Sequence, residues 1–142
     1  MRIKLLNERA QVPTQATPGS AGYDLYAANE FPIDIPIGET VQIPLGFSTE
    51  LPVNVYGAIY ARSGLATKEG LRPANCVGII DSDYRGEWIV ALHNDSAATR
   101  MIEPGDRIAQ VVFGNILTQT FEPVNEISNT ERGEGGFGST GI

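Results

Sequence analysis

The sequence predicts an all-β protein, a small sandwich or barrel with one short helix. Two observations carry this prediction: short apolar runs rich in β-branched residues alternate with turn residues, and 16 glycines and 9 prolines are spread along the 142 residues. Short strands separated by turns at regular spacing are typical of sandwiches and barrels. Only Met1–Val12 and Glu87–Glu103 reach twelve residues without glycine or proline, which argues against a helical bundle.

Six runs are predicted as strands because each combines apolar or alternating residues with a neighbouring turn signal. In chain order they are Arg2–Leu5, Thr40–Ile43, Val55–Ala61, Val77–Ile80, Trp88–Leu92 and Ile108–Phe113. Pro-Gly at 18–19 and 104–105, Ile-Gly-Glu at 37–39, Arg-Gly at 85–86 and Asn-Asp-Ser at 94–96 supply turns between them. Only Gly64–Gly70 has the character of a helix, and it is short.

Length and charge limit the classes of partner. A chain of 142 residues is expected to form one domain, and a net charge of −7 from 10 basic and 17 acidic side chains argues against binding to nucleic acid. No apolar run approaches the ~20 residues of a membrane span, so no membrane association is expected. Charges throughout Met1–Arg9 do not fit a signal peptide, which favours an intracellular location, cytoplasmic if the source is bacterial.

The single cysteine, Cys76, excludes an internal disulfide and a multi-cysteine zinc site, and we expect it to be a small core residue. The glycine-rich end has a different composition from the rest. We therefore divide the chain into a β-domain over 1–128 and an arm over 129–142, whose composition by itself is that of a disordered tail. Phosphates could be bound in this arm by backbone amides that the glycines leave accessible, by Arg132 and by the hydroxyls of Ser139 and Thr140. Phe137 could stack on a base.

Two further positions could carry chemistry. Asp81 follows two isoleucines where a strand enters its turn, so partial desolvation would raise its basicity and suit a general base; the alternative is a solvated hairpin tip. Ser63 fits the N-cap of the short helix, or it joins Arg62 in an anion site. A nucleophilic role for Ser63 is disfavoured, because His93 is the one histidine and no Gly-x-Ser-x-Gly surrounds the serine.

Five segments, in order along the chain, resemble the motifs of the trimeric dUTPase family. They are Pro18–Leu25, Ala61–Ala66, Asn75–Gly86, Pro104–Gln110 and Arg132–Gly141. The resemblance implies a distorted jelly-roll β-barrel with a flexible C-terminal arm that closes the active site. It also implies a homotrimer with shared sites and Mg²⁺-dependent hydrolysis of dUTP to dUMP and pyrophosphate. That reaction would keep uracil out of DNA and supply dUMP for thymidylate synthesis.

The resemblance also implies a role for each motif residue. Asp81 would activate the attacking water, and Asp24 would support the water shell of a metal held only through the triphosphate and waters. The uracil and deoxyribose would be contacted by Asn75, Gly78, Tyr84 and Phe137. The phosphates would be bound by Arg62, Ser63, Gly64, Gln110, Arg132, Gly138, Ser139 and Thr140.

Two alternatives remain open from the sequence. One is a dCTP deaminase, or a bifunctional deaminase, of the same fold; the Asp-x-Asp-Tyr-Arg-Gly hairpin beginning at Asp81 is the dUTPase form and disfavours it. The other is a catalytically silent module that binds dUTP for signalling. Asp81 and the Arg132–Gly141 tail argue against that second alternative, because binding alone needs no poised base.

Overall fold

Residues 1–136 are described by the computed structural model, and they form eleven strands and one short helix. The six predicted strands are confirmed as β1, β4, β6, β8, β9 and β11, and the predicted helix is confirmed at Leu65–Glu69. The strands are β1 Arg2–Leu5, β2 Tyr23–Tyr26, β3 Ile33–Ile35, β4 Thr40–Pro44, β5 Phe47–Glu50, β6 Val55–Tyr60, β7 Leu71–Pro73, β8 Gly78–Ile80, β9 Ile89–Asn94, β10 Arg100–Ile102 and β11 Arg107–Asn115.

The strands pair only in antiparallel fashion within the described residues. A four-stranded sheet has the order β2-β11-β6-β8, and a three-stranded sheet has the order β4-β9-β7. Two ribbons, β1-β5 and β10-β3, complete the structure. The all-β prediction is confirmed, and β8 stands at the edge of the sheet that carries most of the motif segments.

The core lies beneath the four-stranded sheet and centres on two aromatic rings. Phe47 and Trp88 are buried with ring centroids 5.2 Å apart. The indole Nε1 of Trp88 donates to Thr49 Oγ1 at 3.1 Å, so its polar atom is satisfied inside the core. Leu25, Ile59 and the other apolar residues of the sheet's inner face pack into the same cluster. The outer face carries Asp24 and Gln110 together with apolar side chains such as Val112.

The short helix is a single turn of π-helix that ends at Gly70. Gly70 has a φ of +68°, in the left-handed region that favours glycine, and an added Cβ would lie 2.8 Å from Ser96. The N-cap alternative for Ser63 is wrong, since Gly64 occupies the cap position and no side chain caps the turn. Within the described residues no helix is long and apolar enough to cross a membrane.

One other expectation, the burial of Cys76, needs correction. Cys76 is exposed rather than in the core, because it sits at the tip of the loop before β8 with a φ of +47°. The last strand ends at Asn115, and a hydrogen bond from Ile116 N to Asn54 O at 2.8 Å follows it. Residues 117–134 are exposed and contain no strand, and the division of the chain at 128/129 stays a prediction.

Candidate active site

The outer face of the four-stranded sheet carries predicted site residues at two opposite corners. Residues paired across neighbouring strands share a face, and Gln110 of β11 pairs with both Asp24 of β2 and Tyr60 of β6. We call Asp24, Arg62, Arg107 and Gln110 the arginine corner. We call Asn75, Gly78, Asp81 and Tyr84, all on or beside the edge strand β8, the hairpin corner.

Asp24 is the centre of the arginine corner. Its Oδ1 accepts a hydrogen bond from Arg62 Nε at 2.9 Å, and its Oδ2 accepts one from Arg107 Nη1 at 3.2 Å. The side chain of Asp24 is only 13% exposed, so both ion pairs form in partial shelter from water. The carboxylate that was expected to support a metal's water shell therefore also holds two arginines.

Gln110 and two glycines complete this corner. The amide Nε2 of Gln110 donates to Ala61 O at 2.9 Å, and a Cβ on Gly22 would clash with the Gln110 side chain. A larger residue at position 22 would therefore displace the amide of Gln110 from its present position. A Cβ on Gly64 would meet nothing within 4 Å, and the backbone of Gly64 is ordinary right-handed helix. The packing of this chain does not require glycine at position 64, which leaves room there for a ligand or a neighbouring chain.

Asp81 lies directly after β8 and is exposed, contrary to the expected partial desolvation. The alternation along the strand is the reason: Ile80 turns into the core, so Asp81 faces outward. Tyr84 follows in a turn closed by Tyr84 N to Asp81 O at 3.2 Å, and its hydroxyl donates to Glu87 O at 2.9 Å. A cavity of about 220 Å³ at this point is lined by Ile79, Ile80, Asp81, Tyr84, Glu87 and Ile89.

Asn75 and Gly78 lie at the other end of β8 and are in contact. A Cβ on Gly78 would be 3.1 Å from Asn75 Nδ2, so glycine lets the amide lie close to the strand backbone. Val77 N donates to Asn75 O at 2.6 Å and tightens the loop. The hairpin corner thus presents an exposed amide, an edge-strand backbone, an aromatic ring and a carboxylate along one short stretch of chain.

The strand register separates Asp24 from Asp81, whereas Gly78 pairs with Ile59 and so lies close to the row of Asp24. Through Gln110, Asp24 is level with Tyr60 near the end of β6. Ile80 pairs with Gly57, so the next residue, Asp81, is level with Tyr56 near the start of β6. The two carboxylates are therefore three strands apart across the sheet and four residues apart along it. At ~4.8 Å per strand and ~3.3 Å per residue, the diagonal is about 20 Å.

Comparison with known proteins gives this arrangement a family. The family model described as dUTPase matches residues 8–141. The chain belongs to the dUTPase family. The deoxyuridine 5'-triphosphate nucleotidohydrolase of Desulfitobacterium hafniense is 48% identical over 93% of this chain and 88% of its own length. That of Pasteurella multocida is 44% identical over 98% of this chain and 95% of its own.

Solved structures confirm the expected jelly-roll dUTPase fold. The dUTPase of Staphylococcus bacteriophage 80alpha with dUPNHPP superposes with a TM-score of 0.91, at 28% identity, over 99% of this chain and 98% of that one. A D95N mutant of the dUTPase from phage phi11 of S. aureus shares the fold with a TM-score of 0.81 at 23% identity, over 90% of this chain and 98% of that one. That phi11 structure describes the coordination of a structural Mg(II) ion.

The residues of this dUTPase-family chain fit a metal that arrives with a nucleotide. Among residues 1–136, no group of three or more His, Cys, Asp or Glu side chains is placed to hold an ion. At the arginine corner, each oxygen of Asp24 already accepts from a guanidinium. A metal at this corner would thus meet a carboxylate that Arg62 and Arg107 already engage.

Of the predicted arm residues, Arg132 is the one that the structure describes, and it is not brought to either corner. Arg132 is exposed, and its Nε donates to Gly135 O at 2.9 Å within its own turn. The other predicted arm residues, Phe137, Gly138, Ser139 and Thr140, lie outside the described residues.

Sequence reasoning missed Arg107, Tyr60 and Glu87. Arg107 stands three positions before Gln110, and in a regular strand this odd spacing puts two side chains on opposite faces. A register shift between Arg107 and Ala109 in the pairing of β11 with β2 allows both to reach the arginine corner. Tyr60 and Glu87 carry no local signal, since each reaches its corner only through strand pairing or the hairpin turn.

Proposed function

We propose that this chain hydrolyses dUTP to dUMP and pyrophosphate. Membership of the dUTPase family supports the reaction class, and the observation that carries the proposal for this chain is the hairpin cavity shared by Asp81 and Tyr84. Because the carboxylate and the aromatic ring lie on one turn, the carboxylate can lie beside the α-phosphate while the ring packs on the sugar of the same nucleotide. A nucleotide substrate also favours an intracellular location.

In the proposed reaction Asp81 is the general base. It takes a proton from a water molecule whose oxygen attacks the α-phosphorus, and the bond from that phosphorus to the oxygen bridging to the β-phosphate breaks. The electron pair of that bond leaves with pyrophosphate. The exposed carboxylate of Asp81 is free to orient the water, because no side chain among the described residues engages it.

Phosphate binding is assigned to Arg62, Ser63, Gly64 and Gln110, with Asp24 behind them. Asp24 fixes Arg62 through Nε, which leaves the outer edge of the guanidinium free for phosphate oxygens. Bound Mg²⁺ would neutralise charge on the triphosphate, which an acidic protein needs when it binds a polyanion.

Selection of the base and sugar is assigned to Asn75, Gly78 and Tyr84. Uracil offers O4 as an acceptor and N3–H as a donor, and cytosine reverses both. A fixed amide and edge-strand backbone therefore reject cytosine by leaving buried polar groups unpaired. Tyr84 would pack on the deoxyribose where a 2′-hydroxyl would clash.

We further propose that the active site is assembled between subunits of a homotrimer. The α-phosphate that meets Asp81 and the phosphates that meet Arg62 belong to one triphosphate, whereas Asp81 lies about 20 Å by strand spacing from Asp24, the carboxylate that holds Arg62. If the hairpin corner of one copy faces the arginine corner of another copy, both can contact the same triphosphate despite their separation within one chain. The arm, through Arg132, Phe137, Gly138, Ser139 and Thr140, would close over the nucleotide so assembled.

A direct test is to incubate the purified chain with dUTP and Mg²⁺ and follow pyrophosphate release, with dCTP and UTP as parallel substrates. We expect rapid release from dUTP and little from the other two. Ammonia release from dCTP would instead indicate a deaminase of this fold. Binding of dUTP without turnover would indicate a silent binding module, and either result would overturn the proposal.

A further inference from the structure

Arg107 contacts the phosphate-binding machinery without being one of its predicted members. Its Nη1 donates to Asp24 Oδ2 at 3.2 Å, and its backbone oxygen accepts from Arg62 Nη1 at 3.3 Å. Asp24 in turn accepts from Arg62 Nε at 2.9 Å. The three side chains form a bridge in which one carboxylate joins two guanidinium groups.

The electrostatics of this bridge favour one orientation of Arg62. Two guanidinium groups repel each other at close range, and the Asp24 carboxylate between them offsets that repulsion. The oxygens of Asp24 are divided between the two arginines, so Arg62 is confined to Oδ1 through its Nε. Without Arg107, Oδ2 of Asp24 would be free. Arg62 could then rotate so that its two terminal nitrogens, Nη1 and Nη2, bind both carboxylate oxygens in an end-on pair.

The end-on geometry would remove the donors that a phosphate needs. In the present arrangement Arg62 uses Nε and Nη1, and Nη2 makes no hydrogen bond within the described residues. Arg62 and Arg107 both line a cavity of about 450 Å³ beside the corner, which gives their free edges access to solvent.

We propose that Arg107 is a positioning residue that acts through Asp24 to keep the outer edge of Arg62 available for the triphosphate. This inference rests on the proposed function. It differs from a direct role for Arg107 in phosphate binding, in which the guanidinium would contact the ligand itself.

The test uses Arg107→Met, which keeps the length of the side chain but cannot donate, together with Asp24→Asn and the double variant. Arg100→Met is the matched control, because Arg100 lines the same cavity but pairs with Glu69 instead of Asp24. Thermal unfolding of each variant reports on the fold. Kinetics with dUTP, inhibition by pyrophosphate and binding of dUMP report on the site.

For Arg107→Met we expect the KM for dUTP and the inhibition constant of pyrophosphate to rise about tenfold, with kcat within about threefold. The affinity for dUMP, which lacks the outer phosphates, should stay at the wild-type value. Arg107→Lys should recover most of the loss, since lysine can still donate to Asp24. Arg100→Met should match the wild type in all three measurements.

The double variant distinguishes the two roles of Arg107. If Arg107 acts through Asp24, adding Arg107→Met to Asp24→Asn changes the pyrophosphate constant less than twofold. If the pyrophosphate inhibition constant of the double variant rises by the product of the two single fold-changes, Arg107 binds phosphate directly and the proposal is overturned. A wild-type inhibition constant in Arg107→Met would overturn it as well. Failure of the proposed function is a separate result, because the wild-type protein itself would then not turn over dUTP.

Discussion

The two corners of the outer sheet face differ in how far one chain completes them. At the arginine corner, Asp24 is largely buried and each of its oxygens has a guanidinium partner. At the hairpin corner, Asp81 is exposed and has no partner among the described residues. The corner to which we assign phosphate binding is thus organised within the single chain, whereas the corner that carries the proposed base is open.

This contrast suggests that substrate binding and the chemical step depend on different corners of the sheet. Charged donors that are fixed before the ligand arrives lose little conformational freedom on binding, which favours affinity for the triphosphate. A carboxylate that faces solvent can accept a proton only once a nucleotide and a water molecule are positioned beside it. Changes at the hairpin corner should therefore alter turnover or selectivity, and changes at the arginine corner should alter phosphate affinity.

The largest expected effect comes from Asp81→Asn, which keeps the shape of the residue but removes the base. Loss of a general base typically lowers a rate by ~10²–10⁴-fold, and we expect kcat to fall in that range. The affinity for a non-hydrolysed dUTP analogue, measured by calorimetry, should change little, because the arginine corner is intact.

Asp83→Asn is the matched control for that variant, since Asp83 is an exposed carboxylate on the same turn. It should retain near wild-type turnover. Turnover of Asp81→Asn within threefold of the wild type would mean that the base lies elsewhere.

A smaller effect is expected from Tyr84→Ala, which removes the ring that would pack on the deoxyribose. The ratio of kcat/KM for dUTP over UTP should fall about tenfold, in the range of discrimination that pocket shape supplies. Tyr84→Phe removes only the hydroxyl bond to Glu87 O and should keep most of the selectivity. An unchanged ratio in Tyr84→Ala would place sugar selection at another residue.

The smallest effect is expected on stability, from the ion pair of Arg72 with Asp95 beside the loop between β7 and β8. Arg72 Nε donates to Asp95 at 2.6 Å, and Arg72 Nη1 lies 2.9 Å from Cys76 Sγ at the loop tip. The hydrogen bond from Arg72 lowers the pKa of Asp95 below its ordinary 3.8. Because the charged form is favoured by folding, this pair stabilises the protein at neutral pH and is lost as the pH falls below that ordinary value.

Asp95→Asn should therefore lower the thermal unfolding midpoint slightly at pH 7, since exposed ion pairs contribute little. The difference from the wild type should shrink as the pH falls through 3.8 and below. An equal difference at pH 7 and at strongly acidic pH would mean that the ion pair is not its cause.

Local pattern was sufficient for the strands that bury a continuous apolar run, such as β6 and β11. It failed for β2, β3, β5, β7 and β10, which are three or four residues long. Tyr23–Tyr26 mixes polar and apolar residues, and Leu71–Pro73 ends in a proline. These two segments become strands because the longer strands β11 and β9 pair with them, whereas β3 and β10 pair with each other and β5 pairs with β1. Such pairing is not encoded within the segment itself.

The sequence supplied candidate site residues one by one, but it did not supply their arrangement in space. The motifs identified Asp24, Arg62 and Asp81, but nothing in their sequence spacing indicates that Asp24 and Asp81 occupy opposite corners. That result depends on the register of β2, β11, β6 and β8. The partnership of Arg107 with Asp24 depends in addition on the register shift after Arg107, which has no signature in the residue types.

The central claim is that the base and the phosphate-binding arginine of one active site come from different copies of the chain. It is tested by mixing Asp81→Asn protein with Arg62→Gln protein, allowing subunits to exchange, and confirming mixed trimers by native mass spectrometry. At a dUTP concentration well below the KM values, each variant alone should be nearly inactive, Asp81→Asn because it lacks the base and Arg62→Gln because it binds the triphosphate weakly. Random mixing in a closed trimer gives about one site in four with both residues intact, so dUTP turnover should recover to about a quarter of the wild-type rate. No recovery in confirmed mixed trimers would show that both residues of a site belong to one chain.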